Sequence, residues 1–336
     1  MREFRTALAP LVWGTTYLVT TEFLPPEHPL FAATARALPA GILLLALPAL
    51  LEGLPGGRGV RGPGRTLDRV RPRGSWWGKA AVLGGLNIGA FFALLFVTAQ
   101  RLPGGVAAVL TASQALLVVV LSGPVLGQRV GPAQAAAAVV GVGGIGLLVL
   151  TPQARLDAGG VAAGLGAAVA TAVGIVLTRR WGRPVDLLTF TGWQLVAGGL
   201  LLLPLVLAVE GVPTDVPAGA WLGLAWLAVP GGAVAYVLWF DGIAHLRAVA
   251  VSSLALLAPL TAAGLGWAVL GQRLGPAQLV GAVLVLGAVL ALQGRPRQRP
   301  DGVVDSQPCP SPTAHPLRPV PTSSSCGSVC RTPASC

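Results

Sequence analysis

Trp13, Thr16, Tyr17 and Thr20 fall at i, i+3, i+4 and i+7, so on a helix they share one face. Two aromatic rings and two hydroxyls on one face suit a cavity that receives a small polar organic molecule. Arg36 stands inside the next apolar run. A charge at that depth is costly and faces a cavity or a partner; one account is that it attracts a carboxylate substrate. The competing account is structural: its head reaches backbone carbonyls or a nearby acid, or snorkels toward water. Asn87, Thr111, Gln114, Thr171, Gln194, Tyr236, Ser252 and Ser253 interrupt later apolar runs in the same way. For each alone, packing is the better account. Their spread along the chain favours a shared cavity that binds substrate. Titrating groups are scarce: Glu22, Asp241 and His245 are the coupling or gate candidates. Asp241 and His245 form an i, i+4 pair, which suits either a gate contact or ordinary interfacial residues at a helix end.

No catalytic set stands beside these residues. The three histidines, His28, His245 and His315, are far apart in sequence. Gly-x-Ser-x-Gly, His-Glu-x-x-His and Asp-rich phosphate or metal motifs are absent from the sequence. All four cysteines, Cys309, Cys326, Cys330 and Cys336, lie near the C-terminus, in a Cys-x3-Cys-x5-Cys pattern too loose for zinc. The expectation is no enzyme activity, no cofactor and no metal, with free thiols in a disordered segment.

The elements that must position the polar residues are apolar throughout. The chain has 336 residues, 54% hydrophobic and 10% charged, with a mean hydropathy of +0.73. A soluble domain carries about 25% charged residues, so lipid is the expected solvent. About 20 apolar residues cross a bilayer core. Ten such segments are predicted, at roughly 6–23, 30–51, 77–99, 104–124, 131–150, 159–178, 187–208, 219–240, 248–270 and 276–293. The first is polar in its middle and has no small-residue cleavage site before the next span, so it does not read as a signal peptide. The fold class is therefore an all-α membrane protein with ten transmembrane helices.

With the N-terminus inside, nineteen basic residues fall in inner loops and the tail, and three (Arg101, Arg155, Arg273) fall outside. That bias predicts cytoplasmic termini in a multi-pass cell-membrane protein. The net charge of +11 is scattered over loops and tail, with no hydrophilic domain to hold nucleic acid. The basic, Gly/Pro-rich loop at 52–75 reads as a topology determinant touching anionic lipid. The stretch 295–336, rich in Pro, Ser, Thr and Arg, cannot bury a core and is expected to be disordered.

Leu126-Gly-Gln-Arg-Val-Gly-Pro-Ala-Gln134 returns as Leu270-Gly-Gln-Arg-Leu-Gly-Pro-Ala-Gln278, 144 residues later. Gly127 and Gly271 suit left-handed helix caps, and Pro132 and Pro276 suit the first turn of the next helix. Five crossings separate the two prolines, and five is odd, so the copies face opposite sides. The prediction is two inverted five-helix repeats, residues 1–151 and 152–294, a geometry of many secondary transporters. Phe96 maps to Phe240 and Leu102 to Leu246 at the same interval, and Arg36 aligns with Gln194 at a different one.

Trp13-Gly14-Thr15-Thr16-Tyr17, Arg36, Trp193-Gln194, Leu257-Ala-Pro259-Leu and the Leu270-Gly-Gln-Arg turn, in this order, resemble the EamA-type permeases of the drug/metabolite transporter superfamily. The resemblance covers about residues 6–293. It implies a multi-pass permease, commonly an exporter of amino acids, related metabolites or drugs. The family usually has Glu where Gln128 and Gln272 stand, so coupling is not assigned to these positions. The leading expectation is alternating-access movement of a small organic solute, outward. A receptor or assembly subunit is the alternative, and an intramembrane enzyme a weaker one. The expected partners are the small-molecule substrate and the bilayer. Homodimerisation stays open.

Overall fold

The computed structural model describes residues 1–24, 28–52, 71–102, 104–149, 157–213, 216–271 and 275–293. All regular structure among these residues is helical. In chain order the α-helices are α1 (Arg2–Phe23), α2 (Pro29–Glu52), α3 (Trp76–Gly84), α4 (Phe91–Arg101), α5 (Gly104–Ala112), α6 (Gln114–Leu126) and α7 (Pro132–Val149). They continue as α8 (Ala158–Trp181), α9 (Leu187–Leu205), α10 (Ala218–Ala228), α11 (Ala235–His245), α12 (Ala248–Leu254), α13 (Leu257–Leu270) and α14 (Pro276–Gln293). Three π-helical segments, Gly85–Ala90, Val206–Glu210 and Val229–Val234, join or extend these helices. The tail with its four cysteines, most of the 52–75 loop, Arg155, Gln272 and Arg273 lie outside the described residues.

Eight helical stretches are long and apolar enough to cross a membrane, from 18 to 28 residues each, and residues 132–148 form a shorter apolar helix. Large apolar side chains point outward as well as inward. Val120, Leu222, Val283 and Leu290 are each more than two-thirds exposed. A helix that is apolar all round has lipid on its outer face. The interior is packed with small residues between larger ones: Ala9, Ala37, Ile88, Val118, Ile145, Ile175, Leu195, Ile243 and Val285 form one buried cluster.

Elements recur at the interval of the repeated nonapeptide. Phe91–Arg101 answers to Ala235–His245, Pro132–Val149 to Pro276–Gln293, and the π segment Gly85–Ala90 to Val229–Val234. Gly127 and Gly271 both take the left-handed conformation, with φ of 64° and 65°, and end α6 and α13. Pro132 and Pro276 open the following helices, as the turn chemistry requires. A further detail was not read from the sequence. The Gln134 side chain accepts the Gly131 N–H at 3.3 Å, and Gln278 accepts the Gly275 N–H at 2.8 Å. Each is the returning half of a capping box.

Two expected continuous spans are broken. The 104–124 segment divides at Ser113, whose hydroxyl donates back to the Leu110 carbonyl, a bond that bends helices. The 248–270 segment divides at 255–256, where Pro259 lacks an N–H for the Ala255 carbonyl and its ring crowds that turn.

The two most extensive helix pairs are α7 with α14 and α2 with α9. In the first, a methyl at Gly281 would lie 2.6 Å from the Gly144 carbonyl oxygen, so the backbones nearly touch. In the second, Glu210 at the end of the π segment after α9 grips the start of α2. Its two oxygens accept the Leu30 and Phe31 N–H groups at 2.8 and 2.9 Å. A carboxylate there satisfies orphan donors and favours the positive end of the helix dipole. A third tie joins the first π segment to α8 and α9. Asn87 Nδ2 donates to Gln194 Oε1 at 2.8 Å and to Thr178 Oγ1 at 3.2 Å. Gly174 makes room for it, since a methyl there would sit 2.2 Å from Asn87 Oδ1.

Two stability outcomes follow from these contacts. Gly281→Val should cost about 1–3 kcal/mol by overpacking. Gly287→Ala, with open space around it, should leave thermal unfolding in detergent unchanged. Gly174→Ala should lower the unfolding temperature, and adding Asn87→Ala should recover part of the loss. Strict additivity in that double-mutant cycle would mean the two residues do not share a site.

Candidate functional site

Arg36 lies on α2 and is 6% exposed. Its Nη2 donates to the Gly231 carbonyl at 2.9 Å, and the Trp13 indole N–H donates to the same oxygen at 2.9 Å. That carbonyl lies in the π segment Val229–Val234, where it does not receive the Ala235 N–H that an α-helix would give it. The Ala235 N–H bonds the Pro230 and Gly232 carbonyls and bypasses Gly231. Such single-turn widenings are frequent at functional sites. The guanidinium carbon lies 5.3 Å from the Phe92 ring centre and 5.8 Å from that of Tyr236. Trp13 packs on Tyr236 at 5.0 Å and on Trp239 at 5.2 Å. Arg36 has no ion pair among the described residues, and its buried Nε has no hydrogen-bond partner there. Among the described residues, one carbonyl dipole and two ring faces are what the charge has.

The structure thus brings Trp13, Arg36 and Tyr236 together. It adds Gly231, Phe92 and Trp239, which sequence reasoning did not select. The Pro230-Gly-Gly run inside a span was the available signal. Thr16 and Thr20 share α1 with Trp13. Thr16 Oγ1 is buried without a hydrogen-bond partner among the described residues, and Thr20 donates to the Thr16 carbonyl at 2.9 Å. The side chain of Tyr17 lies outside the described residues.

Gln194 and Thr178 form the second polar group, with Asn87 between them and donating to both. Gln194 is fully buried, and its Nε2 lacks a partner among the described residues. The other hydroxyls bond back to their own helices. Thr111 donates to the Ala107 and Ala108 carbonyls, and Thr171 to Ala167. Ser252 and Ser253 donate to Val249 and Ala250, and Ser253 also accepts from Gln293 of α14. Both serines are therefore engaged in helix contacts. Gln114 follows the break at Ser113, with Oε1 buried and unpartnered. Glu22 is exposed in the last turn of α1.

Asp241 and His245 are paired at the end of α11, with Nδ1 3.2 Å from Oδ1. His245 borders a cavity of about 290 Å³ whose walls also include Thr178, Arg179, Arg183, Phe190 and Phe240. Arg179 Nη1 donates to the Ile243 carbonyl at 2.8 Å and also to that of Ala244. It thereby caps the C-terminal end of α11, where a cation suits the dipole. Arg179 and Arg183 entered the sequence reading only as topology markers. On the same side, Arg247 Nη2 donates to the Arg129 carbonyl at 3.0 Å. Desolvation holds the Arg247 guanidinium below the usual arginine range. Among the described residues no three His, Cys, Asp or Glu side chains are grouped to hold a metal.

The family model for the EamA-like transporter family matches residues 4–150 and again 158–293. The chain is 44% identical over 287 residues to the protein PecM of Dickeya dadantii (strain 3937), across 85% of this chain and 90% of that one. It is 26% identical over 287 residues to the uncharacterized inner membrane transporter YedA of Escherichia coli (strain K12), across 85% and 88%. A probable terminal-alkyne amino-acid exporter of Streptantibioticus cattleyicolor is 27% identical over 230 residues, across 67% and 76%. One solved crystal structure shares the fold, with a TM-score of 0.71 at 22% identity over 87% of this chain and 96% of that one. An all-helical bundle with eight candidate membrane spans, matched twice by one transporter model, has a definite place: the chain belongs to the EamA-like transporter family, as a multi-pass membrane permease.

Proposed function

We propose that this permease exports a small organic solute by alternating access, through ten crossings arranged as two inverted five-helix units, residues 1–151 and 152–294. The observation that carries the reading is the Gly231 carbonyl. It belongs to the second unit, and it holds Trp13 and Arg36 of the first. A polar site at the interface of two repeats is where secondary transporters bind their cargo. Trp13, Arg36 and Tyr236 are its core. Asn87 and Gln194 brace the neighbouring helices, and Thr16 Oγ1 and Gln194 Nε2 offer unused polar atoms.

Ten crossings are supported by which helices run side by side. α1 packs along α10 and α11: a methyl at Gly242 would meet Thr6, and one at Gly223 would meet Phe23. The stretch 218–245 is one of the eight candidate spans, so α1 is coextensive with a span. α7 pairs in the same manner with α14, another of the eight, from Gly141 beside Ala288 to Gly144 beside Gly281. Loop contacts join residues that the arginine bias assigns to one side. Arg101 meets Asp157 at 3.6 Å and Glu210 meets Leu30, both outside. Arg129 meets Arg247, and Arg179 meets Ile243, both inside. Both termini are then cytoplasmic. Outward direction rests on the exporter name carried by one relative.

The test is a toxicity screen of amino acids, metabolites and drugs on cells with and without the protein, followed by flux in proteoliposomes. Resistance to one compound class with matching outward flux is expected; growth unchanged for every compound together with sealed vesicles that move nothing would sink the reading. Arg36→Gln should reduce flux at least tenfold at unchanged yield and unfolding temperature. Loss of folded protein instead would make Arg36 a structural member. Removing 295–336 should leave flux intact, because the proposed site lies wholly within the helices.

A further inference from the structure

We propose that the cavity at the inner ends of α8, α9 and α11 is a capture site for an organic carboxylate with an apolar or aromatic body, upstream of Arg36. This rests on the transport reading and names the class of cargo. The cavity, about 290 Å³, equals the bulk volume of about ten waters, enough for a small aryl acid. Its polar wall carries two guanidinium groups, Arg179 and Arg183, the His245 imidazole and the Thr178 hydroxyl. Its apolar wall is the edge-to-face pair Phe190 and Phe240, with ring centres 6.0 Å apart. No carboxylate among the described residues lines it. Of the two nearest along the chain, Asp241 pairs with His245 of the cavity wall, and Asp186 accepts the Thr189 N–H at 3.0 Å. Arg183 has no ion pair among the described residues and is exposed. Arg179 is held in place by the α11 carbonyls through Nη1.

The cavity connects physically to Arg36. Tyr236, Phe240 and Ala244 lie at successive turns of α11, so they share one face. Phe240 contacts Tyr236 at 5.9 Å, and the Arg36 guanidinium lies over Tyr236. Eight residues of helix span about 12 Å. An anion leaving Arg183 therefore meets aromatic surface and then a second cation. A neutral solute gains nothing at either end, and an amine meets repulsion at both. Phe240 is 2% exposed and closes the floor between the two stations, so cargo must displace it to pass.

The experiment measures binding of phenylacetate, phenylacetamide and phenethylamine to the full chain in lipid nanodiscs by equilibrium dialysis. Phenylacetate should bind at least tenfold more tightly than its neutral amide, and phenethylamine should not bind. Arg183→Gln, at an exposed position, should weaken phenylacetate about tenfold and flatten its salt dependence. Arg36→Gln should retain the capture step while losing flux. Equal binding of acid and amide, or full affinity in Arg183→Gln, would overturn the capture site. Flux of amines in proteoliposomes without any flux of carboxylates would overturn it too, while leaving transport standing. Arg183-dependent binding with no flux of any solute would instead remove the transport reading and keep the site.

Discussion

The Gly231 carbonyl accepts the Trp13 indole and the Arg36 guanidinium at once, and the centre of the bundle depends on that shared acceptor. In hydrocarbon no water is at hand, so every polar group must find its partner within the protein. An ordinary α-helix uses its carbonyls internally. In the widened turn at Val229–Val234 the Ala235 N–H goes to the Pro230 and Gly232 carbonyls, and the Gly231 carbonyl between them is left to the side chains. Helices α1 and α2 thus converge on a backbone atom of a third helix. Around it the aromatic rings of Phe92, Tyr236 and Trp239 exclude polar alternatives.

The same economy of partners leaves several polar atoms short. Arg36 Nε, Thr16 Oγ1, Gln114 Oε1 and Gln194 Nε2 are buried without hydrogen bonds among the described residues. Each such atom costs about 1–3 kcal/mol. They occur on α1, α2, α6 and α9. A polar solute or a different helix packing would supply partners that this arrangement lacks.

Much of this was legible from residue types. The helix ends at Gly127 and Gly271 follow from the need for a left-handed residue, and the helix starts at Pro132 and Pro276 from a donor no helix requires there. Trp13, Arg36 and Tyr236 stood out because polar and charged groups are expensive at membrane depth. The shared acceptor was not legible, since it is a backbone atom and its release depends on helix winding rather than on a side chain. Ser252 and Ser253 looked like cavity residues because a hydroxyl in an apolar run has the same appearance whether it faces a cavity or bonds back to its own helix. Arg179 and Arg183 were absorbed into a charge count, which records the side of the membrane but not the atoms an arginine touches. Ser113 and Pro259 each divide a span that hydropathy alone draws as continuous.

Glu210 gives the bundle a mechanical partition that differs from its sequence repeat. Its carboxylate clasps the first turn of α2, and α2 lies against α9 along its length. Any motion that preserves this clasp carries α2 and α9 as one body, with Arg36 riding six residues, about 9 Å, beyond the clasped turn. The α7–α14 pair, closed by Gly144 and Gly281, forms a second such couple drawn from both repeats. In the proposed alternating-access motion, the bodies that swing past each other would then be composites of both repeats rather than the repeats themselves.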